Sequence, residues 1–270
     1  MGDLVTTTIA TSEGTIGALD QRHSNTWTAI AYPSAGSTAA YGPAIAAHGY
    51  RIVGSYKAAG SKQNHAFVYD SATGRYETID PPTSFCAPYV CTEAVAHSNV
   101  GLTAFQVVGN CDAPGSGPGG LLPHAFLYAS TTAGFRKIDV AGALGTTAYG
   151  IWRDPGEVAV AGGYTDAHGT HGYVRGLVSG RLVTYDAPGA LITHFEGITG
   201  AGGAGNYNLA GDWTARGGGV NGFWLPIRGW KAGTPIALGA VSANSVYRRT
   251  IVGVMPARPP AGYLVTVPGI

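Results

Sequence analysis

The sequence predicts an all-β protein made of repeats: a single five-bladed β-propeller with four antiparallel strands per blade. Three observations carry that expectation. An aliphatic-x-Gly step recurs at Ile52-Val53-Gly54, Val107-Val108-Gly109, Val160-Ala161-Gly162, Leu209-Ala210-Gly211 and Ile251-Val252-Gly253. Its glycines stand 55, 53, 49 and 42 residues apart, and periods of that size mark solenoids, propellers and arrays. Each step is followed by a short polar loop and an aromatic cassette: His65-Ala66-Phe67, His124-Ala125-Phe126, His171-Gly172-Tyr173, Asn221-Gly222-Phe223 and Ala261-Gly262-Tyr263. The composition agrees. The 43 glycines and plentiful Thr, Val and Tyr suit short strands joined by tight turns and suit helices poorly.

The elements follow in order along one domain, residues 1–270. Residues 1–22 stand outside the repeat and add a strand or hairpin. Residues 26–32 (TWTAIAY) read as a strand, with Pro33 placed as Pro82 and Pro188 are after later strands. The repeats then run roughly 33–80, 81–139, 140–186, 187–236 and 237–270. Their first strands begin near Thr38, Thr92, Thr146, Thr193 and Ser242. The third repeat is the clearest: strands Thr146–Trp152, Glu157–Tyr164, His171–Leu177 and Arg181–Asp186, with Ser179-Gly180 turning between the last two. His65 to Asp80, His124 to Asp139 and His171 to Asp186 are each 15 residues, so one hairpin length pins the register of the last two strands. A fourth strand is looser in the fourth repeat (229–236) and missing from the fifth. The strand at 26–32 is therefore expected to complete the last blade and close the ring, which removes the free sheet edge.

Composition also bounds the partners. A net charge of +1 steers the chain toward neither nucleic acid nor an acidic membrane surface. No run approaches the roughly 20 apolar residues of a membrane span. Met1-Gly2-Asp3 does not open a signal region. Low charge, high Gly, Thr and Tyr content and three cysteines point to an extracellular or periplasmic monomer, with the cytoplasm as the alternative.

The repeats resemble the extracellular HAF-repeat family, named for its His-Ala-Phe cassette. The matching segments are Tyr185-Asp186-Ala187-Pro188-Gly189-Ala190, Thr147-Ala148-Tyr149-Gly150-Ile151, Ile52-Val53-Gly54-Ser55-Tyr56 and His65-Ala66-Phe67. The resemblance runs from residue 26 onward and weakens in the last two repeats, where the cassette histidine is lost. It implies export and a repeat architecture, and it carries no activity or catalytic residues.

Residues that recur at one repeat position read as scaffold. His65, His124 and His171 bridge backbone groups of neighbouring strands, and Asp80, Asp139 and Asp186 cap turns. The chemistry is sought among asymmetric ionisable groups at strand ends, on the face carrying two long insertions at 80–91 and 110–122. His194, Glu196 and Glu93 are the expected catalytic groups. Glu196 lies two residues past His194 and so points the same way on a strand. A carboxylate beside an imidazole in a partly dry site suits general acid–base catalysis. Tyr56, Tyr164, Trp213, Asp112, Asp166, Asp212, Tyr89 and Tyr149 are the expected ligand-binding groups, the aromatic ones as a rim for a sugar or planar ligand. Cys86, Cys91 and Cys111 allow one disulfide, Cys86–Cys91 or Cys91–Cys111, with one thiol left over. No CxxC spacing supports zinc, His168 and His171 make only a weak metal motif, and Gly115–Gly120 lacks the context of a phosphate loop. No metal and no cofactor are expected. The expected function is a metal-independent acid–base enzyme (lyase, isomerase, cyclase or hydrolase) acting on a small molecule or glycan. A non-catalytic carbohydrate- or protein-binding module is the alternative, and a purely structural surface repeat the third.

Overall fold

The computed structural model describes residues 4–115, 120–239, 241–257 and 260–268, so the tip of the 110–122 insertion lies outside the described residues. The chain divides into two compact units, 1–139 and 140–270. Among the described residues no α-helix occurs and no helix is long and apolar enough to cross a membrane.

The first unit holds three antiparallel groups of strands. The first is β1 (Leu4–Thr11), β2 (Gly14–Gln21) and β3 (Thr26–Ile30). The second is β4 (Ala35–Ile45), β5 (Tyr50–Ala58), β6 (His65–Asp70) and β7 (Arg75–Thr78). The third is β8 (Glu93–Val100), β9 (Gln106–Pro114), β10 (Leu121–Ala129) and β11 (Gly134–Lys137). Within the unit the first strand of each group packs on the group before it: β4 on β1 and β2, β8 on β4, β5 and β6.

The second unit repeats the plan. Its groups are β12 (Gly145–Asp154), β13 (Glu157–Thr165), β14 (Thr170–Gly176) and β15 (Leu182–Tyr185); β16 (Ala190–Gly200), β17 (Tyr207–Ala215), β18 (Val220–Arg228), β19 (Lys231–Ala232) and β20 (Ile236–Gly239); and β21 (Ser242–Tyr247), β22 (Thr250–Met255) and β23 (Ala261–Thr266). A single parallel bridge, Thr170 to Ile192, joins the first two groups. Here β16 packs on β12, β13 and β14, and β21 on β16, β17 and β18.

One expectation is corrected. The strand around Trp27 does not finish the last repeat. It pairs with β2, Trp27 opposite Asp20, in a group of its own. The reason is local. Residues 4–21 form a hairpin, and β3 follows it after a short turn, so the pairing closes a short loop at little entropic cost. A repeated link also marks β3 as the last strand of its own group. Tyr32 N donates to Thr38 Oγ1 at 3.0 Å, as Val140 N does to Thr146 and Ala187 N to Thr193. The described strands thus make six repeat-sized groups rather than five.

The cassette supplies the core. Phe67, Phe126, Tyr173, Phe223 and the bulged strand's Phe195 are at most 2% exposed, and each such ring contributes roughly 1.5–3 kcal/mol by leaving water. The constant 15-residue offset has a physical basis. The cassette imidazole meets the aspartate at the end of the hairpin: His65 Nδ1 to Asp80 at 2.6 Å, His124 Nδ1 to Asp139 at 2.7 Å, His171 Nδ1 to Asp186 at 2.8 Å. In the first two, the second carboxylate oxygen accepts the backbone N–H of Ala66 or Ala125. The histidine and aspartate therefore serve each other, where each was expected to find a separate backbone partner.

The third clasp is doubled. His171 Nε2 also reaches Asp166 Oδ1 at 3.1 Å. Burial opposes charge on His171, but the Asp186 and Asp166 carboxylates outweigh it and raise its pKa. A raised folded pKa gives stability that is complete below the unfolded value of about 6.5 and fades as pH rises through the folded one. A His171→Gln variant should lose about 1 kcal/mol near pH 6, a modest figure because Asp186 is largely exposed. In thermal melts the gap to wild type should narrow as pH rises; a gap that widens would refute the clasp.

Candidate functional site

The site grows from one irregularity in the first strand of the last five groups. β8, β12, β16 and β21 carry a bulge at Ala96/Ser98, Ala148/Gly150, Phe195/Gly197 and Ala243/Ser245, and β4 has its irregularity at Tyr41/Ala44. The extra residues in the four bulges are His97, Tyr149, Glu196 and Asn244. Bulges re-aim a side chain and gather near active sites. The glycine after the bulge in β12 and β16 has a packing cause. A Cβ on Gly150 would meet Ile198, and one on Gly197 would meet Ser245 and Val246 of the next group. That small-residue signature was present in the sequence, but a regular strand was assumed there, so His97 and the neighbouring Tyr41 were missed. Their rings lie 5.4 Å apart.

In the second unit the bulge of β16 assembles a compact polar centre. His194 Nε2 pairs with Glu196 Oε1 at 2.7 Å, with the two side chains 27% and 22% exposed. The predicted pair is therefore formed, although a bulge intervenes. Asp212 on β17 stands directly opposite His194 in the ladder. Its Oδ1 accepts the Ala243 N–H at 2.6 Å. The Tyr149 ring centre is 6.0 Å from that of His194. Gly163 leaves room for the imidazole, because a Cβ there would press on His194 Cβ at 3.0 Å.

Both titratable shifts resolved within this centre are upward. Burial raises Asp212 to about 6; the Ala243 N–H lowers it, Glu196 raises it further and His194 offsets part of the rise. Burial disfavours the His194 imidazolium, yet the Glu196 hydrogen bond outweighs that and the net shift is upward. One site thus holds an imidazole shifted upward by its carboxylate neighbour and a carboxyl raised to about 6. A carboxyl that titrates close to the working pH beside an imidazole is suited to proton transfer. Donor atoms of His194, Glu196 and Asp212 lie within 4.8 Å of one another, as do the sulfurs of Cys86, Cys91 and Cys111. In the first cluster His194 Nε2 and Glu196 Oε1 are already paired with one another.

The other predicted groups are placed as follows. Glu93 belongs to the first unit, where it accepts from Asn64 Nδ2 at 2.5 Å and stands opposite Asp112. Asp112 is raised by burial and by Glu93, and lowered by His124. Tyr56 stacks on Tyr32, which follows β3, with ring centres 3.6 Å apart and shares a hydrogen bond with Thr78 of its own group, so it packs within the first unit. Tyr89 is exposed in the loop before β8. In the second unit Tyr164 lies against His171, ring centres 4.9 Å apart. Asp166 is engaged by the His168 and Gly169 N–H groups and by His171. Trp213 packs against the core around Phe195 and Phe223. Cys91 lies in bonding reach of both Cys86 and Cys111.

No protein-family model matches the chain, and no curated protein sequence does. Among solved structures it is similar to the tricorn protease, with a TM-score of 0.51 and 9% identity over 99% of this chain, spanning 28% of the protease's length. It is also similar to a fucose-specific lectin from Aleuria aurantia (TM-score 0.49, 15% identity, 98% of this chain and 92% of the lectin). A polysaccharide lyase of family PL25, an ulvan lyase, follows (TM-score 0.48, 9% identity, 98% and 90%). At such identities the likeness to the protease is one of fold alone, and the weaker two matches add no argument about function.

Proposed function

We propose that the second unit carries an acid–base site that transfers protons on a neutral or mildly anionic small molecule or glycan. His194 is the acid, Asp212 the base, and Glu196 holds the imidazolium. The observation that carries this reading is the partly exposed His194–Glu196 pair standing against a carboxyl that titrates near 6. A base poised near the working pH is what proton transfer needs. Within each unit, the recurrent packing of a group's first strand on the preceding group supports a propeller-type scaffold. Clustered cysteines support an exported protein, and the cassettes support membership of the HAF-repeat family.

The test is a panel of neutral and uronate-containing oligosaccharides. Turnover is read as new reducing ends and as ultraviolet absorbance of an unsaturated product, and binding by calorimetry. His194→Ala and Glu196→Gln should lower turnover by about 100-fold or more with melting temperature nearly unchanged. Binding without turnover would leave a carbohydrate-binding module in place of an enzyme. Variants that lose several degrees of melting temperature would make these groups structural and overturn the proposal.

A further inference from the structure

The chain has three cysteines, and the first unit brings all of them to one point. Cys86 ends the short 3-10 turn Thr83–Cys86, Cys91 closes the loop before β8, and Cys111 sits in β9. Cys91 Sγ is in bonding reach of Cys86 Sγ and of Cys111 Sγ, with Cα separations of 5.6 and 5.7 Å. Both fall inside the span of about 4.4–6.8 Å that disulfides use. The Cys86 and Cys111 sulfurs are 3.3 Å apart. A sulfur takes part in one disulfide at a time, so the two bonds exclude one another. Whichever forms, the remaining thiol is held against it. Exposure divides the roles, because Cys86 and Cys111 are 1% and 0% exposed while Cys91 is partly open to solvent.

We propose that Cys86, Cys91 and Cys111 form a thiol–disulfide exchange site that accepts small thiol compounds at Cys91, with Cys86 and Cys111 as alternative resolving thiols. The cycle balances without an added oxidant. An external thiolate attacks Cys91 Sγ of the Cys91–Cys111 disulfide; a mixed disulfide forms at Cys91 and Cys111 leaves as thiolate. The Cys86 thiolate then attacks Cys91 Sγ, forms Cys86–Cys91 and releases the external thiolate unchanged. The net result is a moved bond. Thiolate attack through a mixed disulfide is the general route of such exchange. The bond's position alters what is stapled. Cys86–Cys91 ties the loop to itself, whereas Cys91–Cys111 ties the residue two before Glu93 to β9.

Peptide mapping after acid quench, denaturation and alkylation reads the site directly. Protein purified under oxidising conditions should carry one alkylated cysteine per chain, divided between Cys86 and Cys111 and never at Cys91. Reduced glutathione at mildly alkaline pH should shift that division and leave glutathione attached at Cys91 alone. Cys86→Ser and Cys111→Ser should each show no free thiol, with Cys91 bonded to the surviving partner. Label confined to one cysteine and unmoved by glutathione, glutathione attached elsewhere, or three free thiols before any reductant would each overturn the proposal.

Discussion

An Asp212→Asn variant should melt higher than the wild type at neutral pH while losing most of its turnover. Asp212 is 7% exposed and its carboxyl is raised to about 6, chiefly by burial. The unfolded chain holds the same group near its ordinary value of about 3.9. Between those values the unfolded state has given up a proton that the folded state keeps. Stability therefore falls as pH climbs from about 4 to about 6, and the full penalty stands above that range. Two pKa units correspond to on the order of 3 kcal/mol. Asparagine resembles the protonated acid and can still accept the Ala243 N–H that Asp212 now receives. The variant should match the wild type near pH 4 and exceed it by up to about 3 kcal/mol at pH 8. Its remaining activity should lose the acidic limb near pH 6, since the titrating base is gone. A variant less stable than wild type at pH 8 would show that the ionised carboxylate is a structural asset, and the proposed base would fall with it. A buried carboxylate kept at a reactive centre at the expense of stability fits the general trade-off between stability and activity.

Much of this architecture was legible from the chain, and the illegible parts share a cause. In the third repeat the expected strands at 146–152, 157–164, 171–177 and 181–186 match β12 to β15 within two residues at each end. Turn glycines and the fixed cassette offset define those boundaries locally. The segment Leu4–Gln21 lacks both the glycine step and the cassette, so nothing in its residue types announced a partner for the strand at Trp27. The pairing was settled by sequence proximity instead. Glu196 was found through a period-two argument, whereas the strand is bulged there. The pair survives because a bulge re-aims a side chain without removing it from the strand's end. Asp212 was expected as a ligand contact. Its pKa is raised by burial and by Glu196 and lowered in part by His194; these groups meet it only across the ladder, and no spacing along the chain encodes that. Glu93 was grouped with His194 on the strength of a repeat position. Its partners are Asn64 and Asp112 in the first unit.

Gly162→Ala should destabilise the second unit by about 3 kcal/mol or more, a large effect for one methyl group. The cause is space, since Gly162 has ordinary strand dihedrals. A Cβ there would run into the Thr147 carbonyl on β12. The same collision awaits Gly54 with Ala39 O, Gly109 with Val95 O, Gly211 with His194 O and Gly253 with Ser242 O. Five repeats therefore keep glycine for one reason: the neighbouring carbonyl must come close. In two of them the cassette tyrosine uses that carbonyl, Tyr173 Oη donating to Thr147 O at 3.0 Å and Tyr263 Oη to Ser242 O at 2.9 Å. Alanine would push the carbonyl away and leave a buried tyrosine hydroxyl without its acceptor, which adds a desolvation cost to the steric one. Gly180 is the control. It sits in the β14–β15 turn with φ +71° and nothing within 4 Å of the place a Cβ would take, so Gly180→Ala meets only backbone strain, about 1 kcal/mol. Denaturant unfolding of both variants separates the two costs. Equal losses at 162 and 180 would mean that the repeat keeps its glycine for backbone conformation, and the carbonyl-access explanation of the repeat would be lost.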